Sequence, residues 1–326
     1  MSENYIRKCD VYFAYIGRTY TCDLDAIRVR FEIKQSTSHL PNIATIQLTN
    51  QLRELGKRLC EPSAEGSYVS ISAGYLDNCA LIFEGGIRQA MYGRENPTDT
   101  MTTVLVSDGG QGMNYAINAK THGPGSTPKD HVDTAIAALK QFGLSLGFVG
   151  PKVDLSTPKY PRAVTLMGMA WKTLRDIARS KGATVSVQNS KVHFATPDDA
   201  LPGGAFVLNS DTGLVGMPTL MTGGIFFRTL INPQMRIHAL VKIDQGLIQG
   251  MFLETGPDGT PIPNAQMPPY AGADGIYRIF KVDVVADTRG LPWYQDCGCN
   301  VIGYQSAASV YAQGGPGNAP IDPVTQ

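Results

Sequence analysis

The residues of this 326-residue chain that could do chemistry are few and scattered. There are five histidines, His39, His122, His131, His193 and His238, and six cysteines, Cys9, Cys22, Cys60, Cys79, Cys297 and Cys299. A zinc site needs ligands at set spacings. No C-x-x-C or H-E-x-x-H occurs, and Cys297-Gly298-Cys299 is too close for the usual knuckle. The cysteines read as reduced thiols of a protein made in the cytosol. His131 lies beside the apolar stripe of a predicted helix, so a capping or exposed role is expected. His193 and His238 alternate outward on predicted strands and lack a sequence neighbour to orient them.

Other catalytic signatures are equally poor. Asp108-Gly109-Gly110-Gln111-Gly112 lacks the Gly-Lys-Ser/Thr of a phosphate loop and reads as a sharp turn. Gly125-Ser126-Thr127 lacks the glycine frame of a nucleophile elbow. Asp198-Asp199, like Asp23 and Asp25, reads as a solvated turn rather than a glycosidase pair. Trp171 belongs to a helix stripe and is expected in the core, whereas Trp293 could anchor a partner at the surface. No catalytic residue, cofactor-binding residue or metal ligand is assigned, and no cofactor is expected.

The elements that would hold any site follow from periodicity. Ile27 to Lys34 alternates strictly, placing Val29, Phe31 and Ile33 on one face. Ile43–Thr49, Tyr68–Tyr75, Ala80–Gly85 and Thr102–Ser107 continue in the same way, with turn signals between them. Gln51 to Cys60 fits a short helix. From residue 127 the period changes. Thr127 is a candidate N-cap, Pro128 opens a helix, and Val132, Ala135, Ile136, Leu139 and Phe142 form its stripe up to Gly143. A second helix is expected from about Thr165, carrying Met167, Ala170, Trp171, Leu174, Ile177 and Ala178. A hairpin follows over Ala183–Ala195, turning at Asn189-Ser190. Strands return at Arg236–Ile243 and, with a possible bulge, at Gly275–Val285.

The expected fold is mainly β with an α+β insert. Two barrel-like antiparallel β domains, residues 1–110 and 201–311, flank a small helix-plus-hairpin domain at 111–200. A Gly/Pro-rich tail, 312–326, follows. The Pro-rich stretch from Glu254 to Asp274 reads as an irregular loop ordered by a partner.

Composition narrows the function. The 28 basic and 28 acidic residues cancel, which argues against a general grip on nucleic acid. Only 17% of the residues are charged, against ~25% in ordinary soluble domains. Interface cores are depleted in charge, so covered flanks would account for the deficit. No run of 18 apolar residues could span a membrane, and residues 1–8 lack a secretory apolar core.

Three stretches carry a resemblance. They are Phe31–Ser36 with Pro41–Asn50, Val69–Tyr75 with Leu81–Ile87, and Gly223–Pro233 with the strand ending Val285-Ala286-Asp287-Thr288-Arg289-Gly290 before Trp293. In this order and spacing, over residues 6 to 305, the chain resembles the baseplate hub proteins of tailed bacteriophages. Ala286 departs from that pattern, where a more polar residue is expected. The resemblance implies a structural, non-enzymatic protein with two barrel-like domains per subunit. It also implies a homotrimeric ring that adapts a threefold spike to a sixfold tube and lines the DNA-passage channel. The implied partners are further copies of itself, the central tail spike protein, the tail tube protein, other baseplate proteins and the tape measure protein. No sequence-specific nucleic acid is among them. The implied location is the tail baseplate of the virion, after assembly in the host bacterial cytoplasm. Alternatives are a tail-associated peptidoglycan- or glycan-degrading enzyme and the hub of a phage-derived injection machine.

Overall fold

The structure is a computed structural model that describes residues 6–21, 27–221, 224–243 and 275–302. The loop from Glu254 to Asp274, the tail from 312, Cys22, Asp23 and Asp25 lie outside the described residues. The N-terminal part contributes β1 (Arg7–Phe13), β2 (Arg18–Thr21), β3 (Val29–Ser36), β4 (Ile43–Thr49), α1 (Arg53–Leu59), β5 (Tyr68–Tyr75), β6 (Asn78–Arg94) and β7 (Thr100–Ser107). Next come α2 (Gly110–Tyr115), β8 (Ile117–His122), α3 (Pro128–Leu139), β9 (Ser145–Val149), β10 (Val164–Met169), α4 (Ala170–Ser180), β11 (Thr184–Gln188) and β12 (Lys191–Ala195). The C-terminal part holds β13 (Phe206–Leu208), β14 (Leu214–Met221), β15 (Gly224–Leu230), β16 (Leu240–Ile243), β17 (Ile276–Asp287) and β18 (Trp293–Val301). The fold is mainly β with a small helical insert.

Alternation places the core where the sequence predicts it. Val29, Phe31 and Ile33 of β3 and Ala44, Ile46 and Leu48 of β4 are buried on a shared face. Antiparallel β3–β17 pairing, from Lys281↔Ser36 to Asp287↔Arg30, joins the N- and C-terminal strands into one 13-stranded sheet over a common apolar core. A bulge at Phe280 lets β17 serve both parts. Before it, Tyr277 and Ile279 face inward and β17 pairs with β16; after it, Val282, Val284 and Ala286 face inward and β17 pairs with β3. One extra residue shifts the side-chain phase by one, so both halves bury their apolar face.

The insert has its own core around Val132, Leu139, Leu174, Val187 and Phe194. α3 starts at a capping box in which Thr127 Oγ1 accepts from Asp130 N–H and the Asp130 carboxylate accepts from Thr127 N–H. Its stripe is the expected one, and Gly143 ends it in the left-handed region (φ 79°).

Two expected elements change. The second helix starts at Ala170, because Val164–Met169 is a strand paired with β8, and Met167 is 88% exposed. The β-branched Val164 and Thr165, with Gly168 at φ 122°, favour extended backbone over helix. The strand expected over Arg236–Ile243 shrinks to Leu240–Ile243. His238 adopts φ 68°, so the chain turns there and both Ile237 and His238 are buried.

Candidate functional site

Strand β7 ends at Ser107, Asp108 follows it, and Gly109, in the left-handed conformation (φ 71°), swings the chain into α2. That turn leaves Asp108 fully buried against the insert. Its carboxylate accepts the backbone N–H groups of Asn189 (2.7 Å) and Ser190 (2.9 Å), the two left-handed residues at the β11–β12 turn. Burial pushes the Asp108 carboxyl up to about 7, against the pull of the two N–H donors. Around it the seam is closely bonded. Asn42 Nδ2 donates to Val187 O (2.7 Å) and to Gln188 Oε1 (2.9 Å), and Gln188 Nε2 donates to Ser36 O (2.8 Å). Trp171 is core, as expected, and its indole N–H reaches His39 O at 3.2 Å. The insert is thus fastened to β3, β4 and β7 by groups whose desolvation would be costly if unpaired.

A second seam lies beside β17. Asp199, expected in solvent, is 1% exposed; its carboxylate accepts from Thr196 N–H and Oγ1–H, both at 2.8 Å, and from Lys152 N–H at 3.2 Å. The buried Arg278 guanidinium donates to Thr196 O (2.7 Å) and Asp199 O (3.0 Å), and burial lowers its pKa. Asp199 therefore organises a loop. His193 and His238, expected to face outward, are buried with ring centroids 5.9 Å apart, beside Phe148. Both faces of β12 are covered: Val192 and Phe194 enter the insert core, and His193 meets His238 of the C-terminal part. Burial drives the His193 ring down to about 4 and the His238 ring to about 3, so both are neutral at pH 7.

His131 is buried, not exposed. It stacks on Tyr160 (4.7 Å between centroids) and lies 3.2 Å from Ser126 Oγ through Nε2. Trp293 is not a surface anchor: it is 3% exposed, edge-on to Phe31, with the Arg7 guanidinium over its ring. Arg7 also donates to Gly290 O (2.6 Å), and Arg28 makes a two-pronged pair with Asp287 (2.5 and 3.1 Å). Burial, the largest single influence, raises the Asp287 carboxyl, but the Arg28 hydrogen bond and charge together with the backbone N–H groups of Arg289 and Gly290 outweigh it and hold the group below the usual range. These contacts tie the start of the described chain to its last hairpin. Among the described residues no cysteine is joined in a disulfide, and no group of three or more His, Cys, Asp or Glu is placed to hold a metal ion.

What the fold leaves open is apolar surface. β8 and β10 form a separate two-stranded ribbon in which Ile117 pairs with Met169 and Ala119 with Met167. Paired residues share a face, and on this one Ile117 (66%), Met167 (88%) and Met169 (39%) are exposed. At the end of the main sheet, β14 (LVGMPTLM) has one neighbour among the described residues, β15, and contains no charged residue. Its Val215 and Met217 are exposed. Natural edge strands usually carry charge or are covered. β14 instead carries Pro218 and a bulge between Val215 and Thr219. These surfaces were missed in the sequence because strand β10 was read there as helix and β14 was not assigned.

No family model matches the sequence, and no curated protein matches it significantly. Solved structures do share its fold. The 43 kDa tail protein of prophage MuSo2 from Shewanella oneidensis aligns with a TM-score of 0.57 at 10% identity, covering 90% of this chain and 98% of that one. The tail protein from Neisseria meningitidis MC58 gives 0.57 at 9% identity, with 90% and 96% covered. An E. coli component of the type VI secretion system, described as structurally similar to T4 bacteriophage tail proteins, gives 0.50 at 12% identity, with 86% and 74% covered. At these identities the likeness is one of fold, and it spans the N-terminal strands, the insert and the C-terminal strands together.

Proposed function

We propose that this chain is a structural component of a phage tail, a baseplate hub that closes into a homotrimeric ring between the central spike and the tail tube. The observation that carries the reading is the β8–β10 ribbon, one face of which, Ile117, Ala119, Met167 and Met169, is uncharged and apolar and is left in solvent by a fold shared over about nine-tenths of the chain with tail proteins. Burying a side chain such as Ile117 or Met167 is worth ~1.5–3 kcal/mol, which favours a covered state. In this reading residues 1–110 and 201–311 supply two β units per subunit, so three subunits present six units to a sixfold tube. The ring would lie in the tail baseplate, after assembly in the host cytoplasm. The polar seams fit a load-bearing part, since they fix the insert against the sheet.

The test is co-expression with the neighbouring spike gene, followed by light scattering and negative-stain imaging. A trimeric ring is expected; a monomer with or without spike refutes the reading. The third structural likeness favours one further reading, the equivalent hub of a phage-derived injection machine. The neighbouring genes separate the two.

A further inference from the structure

A cleft of about 320 Å³ opens where the N-terminal strands, the insert and the C-terminal strands meet. Its floor is closed by the buried Val282, Val284, Gln35 and Gln295, the Gln295 amide being held on Asn232 O. Leu81, 37% exposed, and Phe148 stand on its walls. Gly147 keeps the insert side open: a Cβ there would come within 2.8 Å of the His193 ring, so a larger residue would crowd that wall.

Charge makes the cleft specific. Lys191 and Arg236, both exposed, line it, and none of its lining residues is acidic. Neither cation has a carboxylate partner among the described residues; Arg236 spends its Nε–H on Pro233 O. In a chain whose 28 basic residues match 28 acidic ones, two cations with no carboxylate partner among the described residues, beside Leu81 and Phe148, are a local excess. Ligand sites combine an apolar body with a few such polar groups, and this volume lies at the small end of their range.

We propose that this cleft is a docking site for an acidic, apolar segment of a partner polypeptide, seating one bulky apolar side chain against Leu81 and Phe148 while flanking carboxylates meet Lys191 and Arg236. The cleft lies within one subunit, so the inference stands apart from ring formation. It is tested by calorimetric titration of the purified chain with acetyl-Asp-Leu-Phe-Asp amide. The comparison peptides are the Asn-Leu-Phe-Asn and Asp-Gly-Gly-Asp analogues. Saturable binding of the first, with both analogues weaker, is expected. K191A/R236A should weaken it roughly fivefold or more, the size of two partly exposed ion pairs. K191E/R236E, with an unchanged melting temperature, should lose it and instead favour the Lys-Leu-Phe-Lys peptide. Equal binding of all the peptides overturns the proposal, as does binding indifferent to Lys191 and Arg236. Absence of saturable binding overturns it too, whether a loop of the same chain or a second copy fills the cleft.

Discussion

Three buried groups give the seams opposite responses to pH. His193 and His238 have depressed pKa values, about 4 and about 3, so between pH 6.5 and 4 the unfolded chain binds protons that the folded chain does not. Stability from this pair is present above pH 6.5 and is lost as the pH falls. Each histidine contributes a slope of about 1.4 kcal/mol per pH unit in that window. His238→Asn, a residue that tolerates the left-handed backbone, should remove about one proton from the slope, as measured by urea unfolding from pH 4 to 7. An unchanged slope would contradict the burial of His238. Asp108 acts the other way. Its folded pKa is raised to about 7, so the folded chain holds the extra proton, and this contribution falls as the pH rises from about 4 to 7. Asp108→Asn should therefore gain on the wild type as the pH rises through that window. Asp108→Ala, which strands two buried N–H donors, should lie about 2–3 kcal/mol below Asp108→Asn at every pH. Equal wild-type and Asn stability profiles would refute the assignment.

At the scale of elements, legibility followed local pattern. β3, β4 and β5 were readable because one face is buried and the other is wet, so alternation survives in the sequence. α3 was readable from its cap, proline and stripe, and the cap gives a direct check. Thr127→Ala should cost about 1 kcal/mol of stability, seen as a lower midpoint in chemical unfolding; a change near zero would show that the capping box is not maintained. β10 was misread because Met167, Ala170 and Trp171 mimic helical spacing while the strand is fixed by pairing with β8, a partner more than forty residues away. The seams were unreadable for the same reason. Nothing near Asp108 in sequence announces Asn189 and Ser190, and nothing near His193 announces His238. Alternation says which residues leave a strand's inner face, but only tertiary contact says whether the other face meets water.

For the whole molecule, the low charge content and the exposed β8–β10 ribbon both fit the proposed assembly, in which neighbours cover such surface. The two ends of the strand order, β14 and β2, differ from each other, so copies meeting through such unlike surfaces would pair head to tail and must close into a ring to stay finite. Met167 is 88% exposed, so Met167→Asp should leave monomer stability within about 0.5 kcal/mol of wild type. The most direct measurement is the mass of the spike-co-expressed chain by light scattering, for wild type and for Ile117→Asp/Met167→Asp. The account predicts three chains of 35.1 kDa per wild-type assembly and a folded monomer for the double variant. A wild-type monomer, or a double variant that still forms trimers, would contradict it.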